Sequence, residues 1–385
     1  MFLERTLNLP NLLKKKSFFL FGPRATGKSS LIKESFATDP SPPLVIDLLQ
    51  SELYLRLSTS PEQLASMIMA HADHSIVIID EIQRIPALLN EVHRLIEAYD
   101  IHFLLTGSSA RKLRHGSANL LAGRARQAEI FPLTYIEIPS FDLAHYLTYG
   151  GLPIVHLSDE PIEDLHAYVD TYLKEEIQSE AIVRKLSGFT RFLQFSAITS
   201  GQLLNFANIA NDAGVPASTV REYYQILEDT FIGFSVPAWT KSVKRKAIST
   251  TKFYFFDLGV RNTLAGIKVL EPMSDLYGQA FKHFIALELR AYISYRRKHW
   301  ALSYWQSKNG QEVDFIMEDE IAIEVKTTTH VQDKHLKGLK ALAEENICKR
   351  YFLLSRDTIE RKVGNIEIVH WEVFLDRLWN GSGLF

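Results

Sequence analysis

The 385-residue chain has a single cysteine, Cys348. One thiol excludes an intramolecular disulfide and any zinc site that needs two or more thiolates. It agrees with a reducing compartment, and a cytoplasmic location is expected. A large excess of either charge is also missing: 43 Lys and Arg face 45 Asp and Glu, a net charge of −2. No global field marks a nucleic-acid or membrane partner, so any such site must be a local patch. Long apolar runs are absent. The longest uncharged stretch, residues 192–211, is interrupted by Gln, Ser, Thr and Asn and would be a poor membrane span. The N-terminus carries Glu4 and Arg5 and has no extended apolar segment, so no secretory signal is expected. His71 and His74 do not form an H-E-x-x-H arrangement, and neither G-x-S-x-G nor a Cys–His signature occurs.

What remains is ordinary globular composition, 46% hydrophobic and 23% charged, in a length suited to two or three domains. SFFLFG (17–22), LVIDL (44–48), SIVIIDEIQ (75–83) and IHFLLTGSSA (101–110) read as buried strands alternating with helices. That alternation predicts an α/β domain with a mostly parallel sheet over residues 1–140. Residues 160–250 read as largely helical, and strands return over 251–385. Pro/Gly stretches near 150–153 and 158–162 are the expected first linker.

Gly22-Pro23-Arg24-Ala25-Thr26-Gly27-Lys28-Ser29 fits G-x-x-x-x-G-K-[ST] between a predicted strand and a predicted helix. The glycines let backbone N–H groups turn toward phosphate oxygens, and the helix start supplies positive potential. Lys28 would reach the β/γ-phosphates, Ser29 would ligate Mg²⁺, and Ser30 lies in the same helix start. At the end of IVIID, Asp80 would hold Mg²⁺ through water, and Glu81 would orient the attacking water. FLLTG places Thr106 and Ser108 at the carboxyl edge of the sheet. There they would sense the γ-phosphate, or Ser108 or Ser109 would cap a helix. Arg124 or Arg126 of GRAR would stabilise transition-state charge, in cis or from a neighbouring subunit, or be an ordinary surface arginine.

GPRATGKSSL, IVIIDEIQR, FLLTGSSA and LAGRARQAEIFPLTYIE, in this order, resemble the AAA-type ATPase domain of many bacterial and archaeal proteins. In those proteins a DUF4143-type region follows. The resemblance implies ATP and Mg²⁺ as ligands and ATP hydrolysis on a P-loop sheet. It puts Asp80 and Glu81 on the Walker B pair, and Arg124 on the arginine before the PLT-type segment.

LLNFANIANDAGVPASTVREYYQILEDTF (203–231) has the plan of a helix-turn-helix, which serves either DNA contact or protein packing. Ser218, Thr219 and Arg221 would approach a groove, and Lys241 to Lys246 would form a basic wing. Against this, the second helix carries one cation beside Glu222, Glu228 and Asp229. In QEVDFIMEDEIAIEVK, Glu324 and Lys326 share a strand face, and a hairpin near Glu318–Glu320 would bring Asp314 beside them. Glu288, in the preceding helix, would add a third carboxylate. Such carboxylates with a lysine can hold Mg²⁺ against a phosphodiester. The order resembles the PD-(D/E)xK nuclease superfamily, although Val313 stands where the eponymous proline would be. KFYFFDLG, with Asp257 and Gly259, belongs to the same pattern.

The expectation is therefore a P-loop NTPase sheet, then a winged-helix-like domain, then a restriction-endonuclease-like α/β domain. DNA is the expected partner and a homo-oligomer is allowed. The C-terminal domain either cleaves DNA with a metal or acts as a non-catalytic module of a nucleotide-controlled switch.

Overall fold

Ser17–Phe21 (β1) is buried at every position, so both its faces must be covered by the fold. In the computed structural model it lies inside a five-stranded parallel sheet with Leu44–Asp47 (β2), Ile76–Asp80 (β3), His102–Gly107 (β4) and Ala125–Glu129 (β5). The order is β2-β3-β4-β1-β5. The structure describes residues 3–71, 75–99, 101–111, 113, 121–173 and 186–381. His74 lies outside them. Two compact units form, the first from residues up to Leu133 with Gln225–Ile232, the second from Thr134–Thr171, residues 186–224 and those from Gly233 on.

The first unit is the expected α/β layer arrangement. Phe19, Phe21, Ile79, Leu105 and the helix Leu88–Ala98 pack into one core that also takes Phe231. The sheet separates β1 from the acidic strand β3 by inserting β4 between them. All three strands run parallel, so their carboxyl ends open on the same edge.

The second unit has a six-stranded sheet in the order β12-β13-β11-β10-β9-β8. Its members are Leu302–Gln306 (β8), Glu312–Met317 (β9), Ile321–Val325 (β10), Arg350–Ser355 (β11), Arg361–Val363 (β12) and Ile366–His370 (β13). Strands β8, β9 and β10 are antiparallel, whereas β10, β11 and β13 run parallel. The helices Phe206–Ala213 and Ala217–Asp229 are joined by a turn at Gly214, whose φ of 67° suits glycine. A two-stranded antiparallel ribbon follows, Gly233–Val236 (β6) with Lys252–Phe255 (β7).

No packing boundary falls near residue 250. Tyr224 packs edge-on against both Phe192 and Phe253, and Arg261 donates to the Ala197 carbonyl at 3.1 Å. These contacts join the helical middle to the C-terminal residues within one unit. The expected linker at 150–153 is also pinned. Buried Asp257 caps the helix Leu258–Ala265 and accepts the Gly151 N–H at 2.8 Å. A Cβ on Gly150 would meet that carboxylate at 2.3 Å, and one on Gly259 would meet the Tyr149 carbonyl oxygen at 2.1 Å. Asp257 and Gly259 thus clamp the 149–151 turn.

Candidate functional site

The phosphate loop is shaped by its neighbours as well as by its glycines. A Cβ on Gly22 would meet the Ile130 carbonyl oxygen at 2.4 Å, so the chain can leave β1 here only as glycine. Gly27 and Ala25 take left-handed backbone conformations, with φ of 88° and 61°. Buried Thr26 donates its hydroxyl to the Pro23 carbonyl at 2.8 Å. Arg5, buried behind the loop, donates to the Thr26 carbonyl at 2.8 Å and to the Phe131 carbonyl at 2.5 Å. Lys28 opens the helix Lys28–Ser35 and donates to the Gly22 and Pro23 carbonyls at 2.7 and 2.9 Å. Its ammonium group is thereby held inside the curve of the loop. Arg24 is half-buried, and Ser29 and Ser30 are exposed on the first turn of the helix.

The acidic strand end meets this loop. The Ser29 hydroxyl donates to Asp80 Oδ2 at 3.4 Å. Thr106, fully buried on β4, donates to Asp80 Oδ1 and accepts the Glu81 N–H at 3.2 Å. Glu81 adopts φ 61°, a strained conformation for a residue with a Cβ. Its carboxylate accepts from the Gln83 amide, and the Ser108 hydroxyl lies 3.5 Å away. Ser108 also accepts from Gln83 at 3.2 Å, whereas Ser109 accepts the Arg111 N–H at 3.2 Å as a local cap. Gln83 was not singled out from the sequence. Its signal was position, two residues beyond Glu81 in DEIQR and buried although polar.

Arg124 is not brought to this site. It precedes β5 beside Ser17, the first residue of β1, while the phosphate loop follows the last residue, Phe21. About six residues of strand rise, roughly 20 Å, separate the two levels. Arg124 pairs instead with Glu97, whose carboxyl it holds below the ordinary range, first by hydrogen bonding and then by charge. Arg126, facing Phe18 in the register, is exposed near the same amino edge. Action in cis by Arg124 is thus corrected by the strand direction.

In the second unit, Asp314 and Glu324 meet across the β9–β10 hairpin, whose register pairs the adjacent Phe315 with Ile323. Asp314 Oδ1 accepts Lys282 Nζ at 2.6 Å, and Oδ2 accepts the Val325 N–H at 2.9 Å. Glu324 Oε1 lies 2.5 Å from Lys326 Nζ. Burial works to raise the Asp314 carboxyl, but Lys282, Lys326 and Lys252 outweigh it and hold the group below its ordinary value. Glu324 goes the other way, raised by burial and then by the Asp314 charge. Lys282 and Lys326 line a cleft of 540 Å³ with Lys252, Gln279, Gln306 and Glu312.

Glu288 does not join them. Its two oxygens accept the Tyr135 N–H and the Trp379 indole N–H, each at 2.8 Å, and it does not line the cleft. Burial pushes its carboxyl up to about 8. Lys282, which sequence reasoning passed over, is the residue of that helix that reaches Asp314. Among the described residues no group of three or more His, Cys, Asp or Glu is arranged to hold a metal.

The basic wing is also corrected. Lys241 pairs with Asp319 at 2.6 Å, Arg245 with Glu344 at 2.6 Å, and Lys244 donates to the Glu344 carbonyl at 2.5 Å. Arg221, the cation of the helix Ala217–Asp229, stacks 4.9 Å over Phe206. These charges are engaged within the unit rather than arrayed for phosphates. Ser218 and Thr219 sit in the first turn of that helix, exposed and half-buried respectively.

A family model described as an AAA domain matches residues 14–139. Two domains of unknown function, DUF8612 and DUF4143, match residues 140–271 and 277–374. With the parallel sheet and its glycine loop, the first match supports a P-loop ATPase in the first unit. An uncharacterized protein of Haemophilus influenzae is 27% identical over 288 residues, covering 68% of this chain and 69% of its own. Uncharacterized protein MJ1637 of Methanocaldococcus jannaschii is 22% identical over 416 residues, covering 94% and 85%. Among solved structures, AMPPCP-bound DnaA from Aquifex aeolicus is similar at TM-score 0.29 and 14% identity, over 57% of this chain and 83% of that one. The Aeropyrum pernix ORC1 protein in complex with DNA gives 0.26 and 12%, over 65% and 86%. Likeness this remote does not bear on function. Among the described residues no helix is long and apolar enough to cross a membrane.

Proposed function

We propose that the first unit binds ATP with Mg²⁺ and hydrolyses it, and that its nucleotide state controls the rest of the chain. The observation that carries this is the convergence of Lys28, Ser29, Asp80, Glu81 and Thr106 on the carboxyl edge of one parallel sheet. Residues Gly22 to Ser29 cradle the phosphates through backbone N–H groups, and Lys28 exchanges two loop carbonyls for phosphate oxygens. Ser29 and Asp80 form an all-oxygen donor set suited to Mg²⁺. Mg²⁺, when bound there, neutralises phosphate charge. Glu81 accepts a proton from the attacking water, and Thr106 fixes the Asp80 carboxylate. A cleft of 410 Å³ lined by Arg5, Leu7, Asn8, Pro10, Leu31 and Glu34 adjoins the same helix and would take the base. An arginine acting in trans, Arg124 or Arg126, requires a homo-oligomer.

The test separates binding from turnover. Glu81→Gln should retain ATP affinity while steady-state phosphate release falls at least 100-fold. Undiminished release would remove Glu81 from the chemistry.

For the second unit, the non-catalytic module is favoured over the metal-dependent nuclease, because Asp314 and Glu324 each hold a lysine. DNA remains the proposed partner of the helix-turn-helix region. With the cations of this region already engaged within the unit, that binding should be weak and only shallowly salt-dependent.

A further inference from the structure

Three lysines line the cleft of the second unit, and each pairs with a carboxylate: Glu312 lines the cleft too, whereas Asp314 and Glu324 are buried next to it. Lys252 pairs with Glu312, Lys282 with Asp314 and Lys326 with Glu324. Lys282 arrives from the helix Asp275–Tyr295, whose Asp275, Gly278, Gln279 and Lys282 form one cleft-lining stripe at helical spacing. Asp314 is 2% exposed, and each of its oxygens already accepts a hydrogen bond. Glu324 is 5% exposed, and its Oε2 has no hydrogen-bond partner among the described residues. A buried carboxylate pair is costly without a cation beside it. The residues present do not fit a divalent ion as the cleft stands: the oxygen it would use on Asp314 is taken, and a like charge stands at contact distance.

We propose that Lys282 is the resident cation of this cleft, its ammonium group filling on Asp314 the place a divalent ion would take. The second unit therefore binds no catalytic metal. This rests on the non-cleaving reading of the unit and deepens it by naming the residue that enforces it. Removing the ammonium group while keeping the stem leaves the buried Asp314 and Glu324 with Lys326 and Lys252 but without the cation that touches Asp314, a site that a hard divalent cation would enter.

The experiment titrates the full-length, nucleotide-free protein with Mn²⁺, by calorimetry and by thermal melting, in wild type, Asp314→Asn, Lys282→Met and Lys282→Met/Asp314→Asn. Wild type and Asp314→Asn should titrate alike, neither binding Mn²⁺ in the cleft, although Asp314→Asn should melt lower because Lys282 loses its buried partner. Lys282→Met should melt lower, gain one Mn²⁺ equivalent at least tenfold tighter than any wild-type site, and recover melting temperature with the metal. The double variant should lose that equivalent. Mn²⁺ binding in wild type that Asp314→Asn abolishes overturns the inference, and so does a folded Lys282→Met with no gained site. If Lys282→Met does not fold, the wild-type and Asp314→Asn comparison still decides. A parallel plasmid-nicking assay separates the two levels. Asp314-dependent nicking overturns the non-cleaving reading as well, whereas Asp314-dependent Mn²⁺ binding without nicking overturns the role of Lys282 alone.

Discussion

Replacing Gln83 with leucine should leave stability nearly unchanged and still cripple turnover. The side chain is 5% exposed. Its amide nitrogen donates to Glu81 and to Ser108, while its Oε1 is buried with no partner among the described residues. A hydrogen bond to a charged group contributes about 1.5–3 kcal/mol, and a buried unsatisfied acceptor costs about 1–3 kcal/mol. Leucine deletes both, so the net effect on unfolding should be within about 1 kcal/mol. The catalytic effect has no such offset. Glu81 sits at φ 61°, a conformation that costs about 1–3 kcal/mol and persists only while its surroundings fix it. Once the amide is gone, Ser108 at 3.5 Å is the side-chain hydrogen bond left on that carboxylate among the described residues. A displacement of about 1 Å in a reacting group can cost 10²-fold. Steady-state ATPase assays should therefore show kcat down about 10–100-fold, with ATP affinity within about threefold of wild type. Chemical denaturation would report stability on the same preparation. A kcat equal to wild type would refute the claim that Gln83 positions Glu81, and a large stability loss would make it a packing residue.

Other consequences follow from the same geometry. Lys28→Ala removes the loop's ammonium group, and ATP affinity should fall about 10–150-fold, the equivalent of one charge-assisted hydrogen bond, as read by calorimetry. Gly22→Ala places a Cβ 2.4 Å from a backbone oxygen that cannot swing away; unfolding should become easier by about 1–3 kcal/mol, with loss of nucleotide binding. Glu288 supplies a pH test. Its carboxyl is raised from 4.5 to about 8, so the folded state binds more protons than the unfolded state between those values. Its contribution is full below about pH 4.5 and is lost as pH rises through about 8, on the order of 5 kcal/mol at most. Melting temperature should decline across this window, Glu324 sharing the slope, and Glu288→Gln should flatten the decline; an unchanged slope would show that Glu288 does not titrate there.

The strand–loop–helix geometry around Gly22 to Ser29 was legible because it depends on local spacing. Gly22 to Ser29 is one loop, and Asp80 and Glu81 end a strand whose β-branched run marks it as buried. Thr106 was also legible, since FLLTG ends a strand parallel to β1. Features that depend on partners far along the chain were not. Lys241 and Arg245 look like a free basic patch until Asp319 and Glu344 are folded against them. Glu288 and Lys282 differ by six positions, roughly 240° around a helix, and nothing local says which face meets β9. Arg124 adjoins a strand, but whether it lies at the phosphate edge depends on which end of that strand it flanks and on pairing with β1. The clamp of Asp257 on Gly151 likewise joins positions 106 residues apart.

The most direct measurement is calorimetric titration of the folded protein with ATP and Mg²⁺, beside Lys28→Ala. Saturable binding at one site per chain, lost or severely weakened in the variant, is the predicted result. No heat of association in wild type, or equal affinity in the two proteins, would contradict a triphosphate cradle formed by Gly22 to Ser29.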